Sequence, residues 1–471
     1  MKKITKRILR AIIIAASVSL LSVIFINVFK PIRQKSVSDS YKEYVSRLNF
    51  QADSPSTERI VCIDSNEDAL LWRLKMINCA RESIVLTTFD LRADEAGIDV
   101  MSALYDAAER GVRIRILIDG IYYPIFLRGN DTFYTLCEHE NVDARLYNPI
   151  SLVNILDVNY RMHDKYLMID DRMYLLGGRN TSDIFLGRLH EGSNIDRELL
   201  VYNTKDGKGD SFSQLEDYFL GIWDTAFSEP VKSGQSKSSA EKGLAELKQR
   251  YRTLSARHKD LSDLTLNAEN SFEANKITLL ANEIHTGNKE PRMLFAIEHL
   301  SKGAKEVIIQ SPYVICNVEM YRTLSNVEKG SKLRLFINSA ELGSNPWGCT
   351  DYMNQKERIL ETGADVYEVM NKYPVHTKTV LIGDRLSVVG SYNFDMRSTY
   401  INTELMLVVD SKELNSYMRD SLRQYEDMAI EVMSDGTETA GELYREKEMS
   451  LGKKFVYGLL RQIIMPFRYL L

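Results

Sequence analysis

The sequence predicts a duplicated α/β fold behind an N-terminal transmembrane helix. Three observations carry this expectation. A charge-free apolar run, AIIIAASVSLLSVIFINVF, extends from Ala11 to Phe29. The order strand, helix, strand recurs in the two halves, with glycines and basic residues at matching offsets. Two His-x-Lys frames, RMHDKYLMIDD from Arg161 and VHTKTVLIGD from Val375, carry the same kinds of residue downstream.

At ~1.5 Å per residue the apolar run covers about 28 Å as a helix, close to the roughly 30 Å hydrocarbon core. The competing reading is a cleaved signal peptide. Such a peptide has a shorter apolar region, about 7–15 residues, and this run passes into NVFKPIRQ with no small-x-small cleavage site. A single-pass, uncleaved anchor in the cell membrane is therefore expected. Lys2, Lys3, Lys6, Arg7 and Arg10 precede the run, while Lys30, Arg33 and Lys35 follow it. That asymmetry favours an N-in orientation, and Lys42 and Arg47 weaken it.

The chain is 471 residues long, enough for two domains, because single cores rarely grow past ~250–300 residues. A hydrophobic content of 44% and a charged content of 27% belong to a globular chain. The net charge of −5 supplies no general field for nucleic acid, which is not expected as a partner. Five cysteines without a CxxC pair indicate neither a zinc site nor a disulfide framework.

In the first half, Ser83–Phe89 reads as a strand, Asp99–Gly111 as a helix ended by glycine, and Val112–Asp119 as a strand. In the second, Glu306–Val314, Val318–Gly330 and Ser331–Asn338 repeat the order. Gly111 and Gly330 are followed by Arg113-x-Arg115 and Lys332-x-Arg334 at the same offsets. The predicted divisions are 1–35 for the basic N-terminus and anchor, 36–232 for the first domain and 233–268 for a linker with a charged, solvated helix. They continue with 269–445 for the second domain and 446–471 for a basic amphipathic segment. That last segment, GKKFVYGLLRQIIMPFRYLL, is too short and charged to span. It either lies on a bilayer surface or packs on the protein's own core.

Each half ends in the His-x-Lys frame. His163 and Lys165 lead through YLMI to the turn DDR and then MYLLGGRN; His376 and Lys378 lead through TVLI to GDR and then LSVVGSYN. Gly177 and Gly390 lie fourteen residues beyond their histidines, and Asn180 and Asn393 seventeen. Each frame reads as a β-hairpin closed by a small-residue turn. On an extended chain residues i and i+2 share a face, so each His points with its Lys. Asp170 falls on the opposite parity, at the turn, which makes it structural. Glycines at the Gly-Gly and Gly-Ser steps admit a close approach, and Ser391 adds a hydroxyl. Lysine and the asparagine amide suit phosphate oxygens, and histidine acts as nucleophile or general acid–base. Two imidazoles facing one phosphate would divide those roles, which explains why the chain needs both frames.

These motifs resemble the phospholipase D superfamily, whose signature is H-x-K-x₄-D followed by G-[GS]-x-N. The resemblance covers roughly Glu58 to Asp410. HDKYLMID matches fully, whereas HTKTVLIG has Gly383 in place of the acid, with Asp384 one residue late. The strings GSYNFDMRSTYINTE, RMHDK and GGRNTSDIF are similar to bacterial cardiolipin synthases. The resemblance implies two α/β/α sandwich domains packed as a pseudo-dimer, and a metal- and cofactor-independent transfer through a phosphohistidine. His163 would be the nucleophile and His376 the acid–base, with Lys165, Lys378, Asn180, Asn393 and Ser391 holding phosphate. Asp170 and Asp384 would stabilise turns, and Glu198 and Glu404 would orient the histidines. Phospholipids in a bilayer are the implied substrates. The reaction would be phosphatidyl transfer of the cardiolipin synthase type; the alternatives are hydrolysis to phosphatidic acid, a nuclease, or a scaffold with a decayed site.

Overall fold

The computed structural model describes residues 2–471 and contains two nine-stranded mixed sheets, one in each half. The first is built from β1 (Glu58–Ile63), β2 (Ser83–Thr88), β3 (Arg113–Asp119), β4 (Val142–Tyr147), β5 (Tyr166–Ile169), β6 (Met173–Gly177), β7 (Glu198–Asn203), β8 (Ser228–Pro230) and β9 (Phe272–Glu273). Their spatial order is β8-β4-β3-β2-β5-β6-β7-β1-β9. The second half supplies β10 (Lys276–Ala281), β11 (Glu306–Gln310), β12 (Val314–Ile315), β13 (Lys332–Asn338), β14 (Asp365–Val369) and β15 (Thr379–Ile382). It continues with β16 (Leu386–Gly390), β17 (Phe394–Asp395), β18 (Leu405–Asp410), β19 (Ala429–Val432) and β20 (Glu438–Ala440). Here the order is β10-β18-β16-β15-β11-β13-β14-β19-β20, and β12 pairs separately with β17.

Read from β4 to β1 and from β14 to β10, the two sheets give one succession. Three parallel strands are followed by an antiparallel hairpin and two more antiparallel strands. The duplication read from the sequence is therefore a duplication of fold. The helix Glu95–Glu109 buries Val100, Leu104 and Ala107 on the outer face of the first sheet. The inner faces of both sheets share a core in which Ile60, Met168 and Leu199 join Ile308, Leu381 and Leu407. Helices Asp210–Trp223 and Lys412–Asp427 complete that core with Phe219 and Met418. Burying this much apolar surface between the halves, at ~25 cal/mol per Å², fixes them as one body.

Several boundaries differ from expectation for local reasons. The first-half helix starts at Glu95, four residues before Asp99, because the Asp94 carboxylate accepts the Gly97 N–H at 3.0 Å and caps it there. The Glu306 strand stops at Gln310 instead of Val314. Pro312 cannot donate to a ladder, and Val314–Ile315 turns away to pair with Phe394–Asp395. The expected solvated linker helix is Lys237–Arg257, and it is not free: Leu247 and Leu254 are buried in the first core. Phe272 and Glu273, beyond the expected linker, pair with Ile60 and Arg59 of the first sheet.

The helix Lys2–Phe29 and the 3₁₀ turn Lys30–Ile32 that follows it contain the one stretch among the described residues, Ile12–Ile32, that is long and apolar enough to cross a membrane. Ile14, Leu20, Leu21 and Phe25 project from it exposed. Of the basic residues behind the orientation argument, the side chains of Lys2, Lys3, Lys6 and Arg7 lie outside the described ones. The C-terminal segment forms the helix Leu451–Ile464, one face of which packs on the protein's own core. Tyr457 and Ile464 are buried, and Arg461 Nε donates to Asn354 Oδ1 at 2.7 Å. Leu451, Phe455, Leu459 and Ile463 face outward.

Candidate active site

Each histidine sits just before its hairpin, on extended chain that bridges to the other half. Met162 pairs with Thr403 and Ile195 with Val375, as two isolated parallel bridges related by the internal repeat. Backbone bonds close both: His163 N–H to Thr403 O at 3.2 Å, and His376 N–H to Ile195 O at 2.6 Å. The residue after each bridge partner is an acid, so each bridge places an imidazole beside a carboxylate from the opposite half. His163 Nδ1 lies 3.0 Å from both Glu404 carboxylate oxygens, and His376 Nδ1 lies 2.6 Å from Asp196 Oδ2. A carboxylate on Nδ1 holds the proton there and leaves the Nε2 lone pair of His163 for chemistry, whereas Lys378 Nζ lies 3.1 Å from Nε2 of His376.

The expected parity holds. Asp164, between His163 and Lys165, points the other way, where its carboxylate accepts from Tyr218 and Thr403 hydroxyls at 2.7 and 2.9 Å. Both lysines are buried; Lys165 Nζ donates to its own His163 carbonyl at 2.5 Å, and Lys378 does the same to His376. Lys378 Nζ also lies 3.6 Å from Asp196. The charges form one cluster, because Lys378 and Asp196 of the His376 site both act on the titration of His163. Asn180 and Asn393 are buried with their amide oxygens unpartnered, so each amide can turn its NH₂ group to an incoming oxygen. Phe89 packs edge-on against the His163 ring at 5.1 Å, and Phe185 against His376 at 5.0 Å.

Burial dominates the electrostatics. It drives His163 well below its usual value, with Lys165 and Lys378 adding to the effect, and it lowers His376 to about 4 against the upward pull of Asp196. Both imidazoles are held neutral near neutral pH. Burial lifts Glu404 to about 7. For Asp196 burial also acts upward, but Lys378 and His376 overcome it and hold the acid at about 2.

Two expectations need correction. Glu198 does not reach a histidine: it accepts a two-pronged bond from Arg73, with Arg179 3.6 Å away, all buried. The partner of His376 is Asp196, which the sequence reading missed. Hairpin register shows why. Gly177 pairs with Glu198, whereas Gly390 pairs with Met406, so the counterpart of Glu404 is two residues before Glu198. Ser391 does not face a phosphate position either, since its hydroxyl donates to Glu404 Oε2 at 2.5 Å. Its first-half counterpart is Gly178, where a Cβ would overlap the Asp196 carboxylate. The small residue at this step is there for the acid.

The turn acids differ as the motifs do. Asp170, at φ 51°, accepts the N–H groups of Arg81, Glu82 and Ser83 at 2.6–2.9 Å. Gly383 holds the same place at φ 59°, its N–H bonded to Glu306 O as that of Asp170 is to Ser83 O. Asp384 is exposed and pairs loosely with Lys412 at 3.6 Å. Because nothing lies closer than 4.0 Å to a Cβ at 383, Gly383→Asp should gain the missing backbone bonds. Offset by the cost of a left-handed non-glycine residue, the expected gain is ~1 kcal/mol in denaturant unfolding, with kcat unchanged. A loss of activity in that variant would contradict a purely structural turn.

Duplicated α/β halves that exchange acids to orient two His-x-Lys pairs define a two-domain enzyme of the phospholipase D superfamily. The chain belongs to the family described as cardiolipin synthase, PLD-like domain, whose model matches residues 74–223 and 296–425, more than half of its length. It is 25% identical over 441 residues to an uncharacterized protein of Helicobacter pylori (strain J99), covering 84% of this chain and 85% of that one. It is 25% identical over 398 residues to cardiolipin synthase C of Escherichia coli (strain K12), covering 75% and 81%. In fold it is similar to the crystal structure of phosphatidylserine synthase from Haemophilus influenzae Rd KW20, with a TM-score of 0.63 at 14% identity, covering 92% and 99%.

Proposed function

We propose that the protein is a membrane-anchored phosphatidyltransferase of the cardiolipin synthase type. The observation that carries the reading is the exchanged pairing, His163 with Glu404 and His376 with Asp196. His163 Nε2 attacks the phosphorus of a donor phospholipid, forming the N–P bond as the P–O bond to the leaving alcohol breaks. His376, in the minor protonated form that ionised Asp196 favours, gives its Nε2 proton to that oxygen. The neutral His376 then takes the proton of an acceptor hydroxyl, whose oxygen displaces His163 from phosphorus. Lys165, Lys378, Asn180 and Asn393 hold the non-bridging oxygens. The upward pull of ionised Asp196 on His376 supports its assignment as the acid. The Ile12–Ile32 stretch supports anchoring in the membrane that contains the substrates.

Incubating the purified enzyme with labelled phosphatidylglycerol, with and without phosphatidylethanolamine, tests the reading. A cardiolipin product supports it; phosphatidic acid alone would make the enzyme a hydrolase using the same intermediate with water as acceptor.

The lysines predict the alkaline limb. Burial lowers Lys165 to about 7 and Lys378 to about 8. An amine is charged below its pKa, so the grip on phosphate is complete at lower pH and lost as pH rises through these values. In a pH profile kcat/KM is expected to fall above pH ~7 and more steeply above pH ~8, by up to roughly tenfold per unit for each ammonium lost. A profile flat to pH ~10 would remove the ammonium role.

A further inference from the structure

Between β4 and His163 the chain makes the loop 148–160, whose apolar tip has no partner in the protein. Leu152 and Val153 are 94% and 88% exposed, with Ile150 and Leu156 exposed beside them. The loop is nevertheless pinned. Asn148 Nδ2 donates to the carbonyls of Asp157 and Tyr160, both at 2.8 Å, and Asn154 Nδ2 donates to Glu229 at 3.0 Å. Aliphatic side chains held out into water on a fixed loop mark a surface that meets an apolar partner.

The loop also shows which partner. It grips the end of the Lys2–Phe29 helix: Asn27 Nδ2 donates to Ile155 O at 2.7 Å, and Asn159 Nδ2 donates to Asn27 O at 2.6 Å. Lys30 pairs with Asp157 and lies 5.0 Å above the Tyr160 ring. Asn27 is three residues inside Lys30, so the loop meets the helix about 4.5 Å deeper than the first cation beyond the apolar run. A single half-buried side chain, Arg397, then donates to Asn159 O at 2.9 Å and to Leu470 O at 2.8 Å. It thereby joins the loop to the 3₁₀ turn Met465–Leu470, where Met465 and Phe467 are exposed.

We propose that the Leu152–Val153 tip enters the headgroup–acyl boundary of the bilayer crossed by the N-terminal helix. Loop, helix end and Met465–Leu470 turn form one lipid-facing surface beside the site. Tyr160, at the base of the loop, is three residues from His163, and Arg397 is seven from Glu404. The surface thus presses the approach to the histidines against lipid, so that a phospholipid moves from bilayer to site without crossing water. The contact itself is independent of the reaction; this use of it rests on the phosphatidyl-transfer reading above.

The test uses the full chain in vesicles of phosphatidylglycerol and phosphatidylethanolamine carrying brominated acyl chains. Leu152→Trp is compared with Lys205→Trp, an exposed control beyond the end of β7 farthest from Asp196. Fluorescence is read as the signal gained over unmodified protein. The expected result is blue-shifted emission from Leu152→Trp with at least ~2-fold quenching by bromolipid, and neither effect for Lys205→Trp. Unquenched Leu152→Trp emission at the wavelength of a water-exposed indole would overturn the proposal. Its use is read separately with Leu152→Asp/Val153→Asp. Turnover of bilayer phosphatidylglycerol should fall roughly tenfold while that of a monomeric short-chain analogue stays within about twofold. Equal turnover of the bilayer substrate would overturn the proposed use, as would equal loss on both substrates. Inactivity of the unmodified protein on both would overturn the transferase reading, leaving the quenching result to decide the contact.

Discussion

Replacing His163 with Ala is expected to abolish turnover, because it removes the imidazole that forms the covalent intermediate. Replacing His376 with Ala should cost about 10²–10⁴ in kcat, the range for losing a general acid–base. The two losses have different characters. Without His376 the first step still proceeds when the leaving group needs little protonation, so a p-nitrophenyl phosphodiester should recover a large part of the rate in His376→Ala and none in His163→Ala. Steady-state rates on both substrates measure this. Wild-type-like turnover in either variant on the natural substrate would remove the shared site, since the structure gives each half only one such histidine beside the opposite half's acid.

The second large effect separates two acids that lie two residues apart. Asp196→Asn keeps shape but loses the charge that orients His376 and stabilises its cation, and kcat is expected to drop ~10²–10⁴-fold with the unfolding midpoint nearly unchanged. Glu198→Gln should do the reverse. It leaves the Arg73 and Arg179 guanidinium groups buried without their carboxylate, a change of the kind that costs about 3–5 kcal/mol, while the folded fraction retains its kcat. Denaturant unfolding and kcat measured on the same two preparations make the comparison. A loss of kcat in Glu198→Gln with Asp196→Asn still active would reverse the assignment.

Those two residues also show how far the sequence reaches. The histidines, lysines and asparagines were legible because the hairpin imposes fixed spacing within one segment, and two copies repeat it. The expectation for Glu404 as a histidine's partner came from the resemblance to the phospholipase D superfamily. Its counterpart was hidden because DRELLVY and NTELMLVV align most naturally on Glu-Leu, which places Glu198 where Asp196 belongs. Only the pairing of Gly177 with Glu198 and of Gly390 with Met406 reveals the two-residue offset. A strand's register depends on its neighbours, which local patterning does not encode. Ser391 was placed on phosphate for a related reason: a hydroxyl beside a glycine is readable, but its direction towards Glu404 is tertiary. The charged helix Lys237–Arg257 misled through its composition, since two buried leucines suffice to dock a surface otherwise made for water.

The central claim is that His163 carries the phosphatidyl group and His376 manages the proton. Mass spectrometry of peptides from His376→Ala, quenched rapidly after mixing with a labelled phosphodiester donor, tests it most directly. The account predicts a phosphoramidate-linked adduct on the peptide containing His163, and no adduct in His163→Ala. An adduct on His376 in the His163→Ala protein, or turnover with no adduct on either peptide, would contradict it.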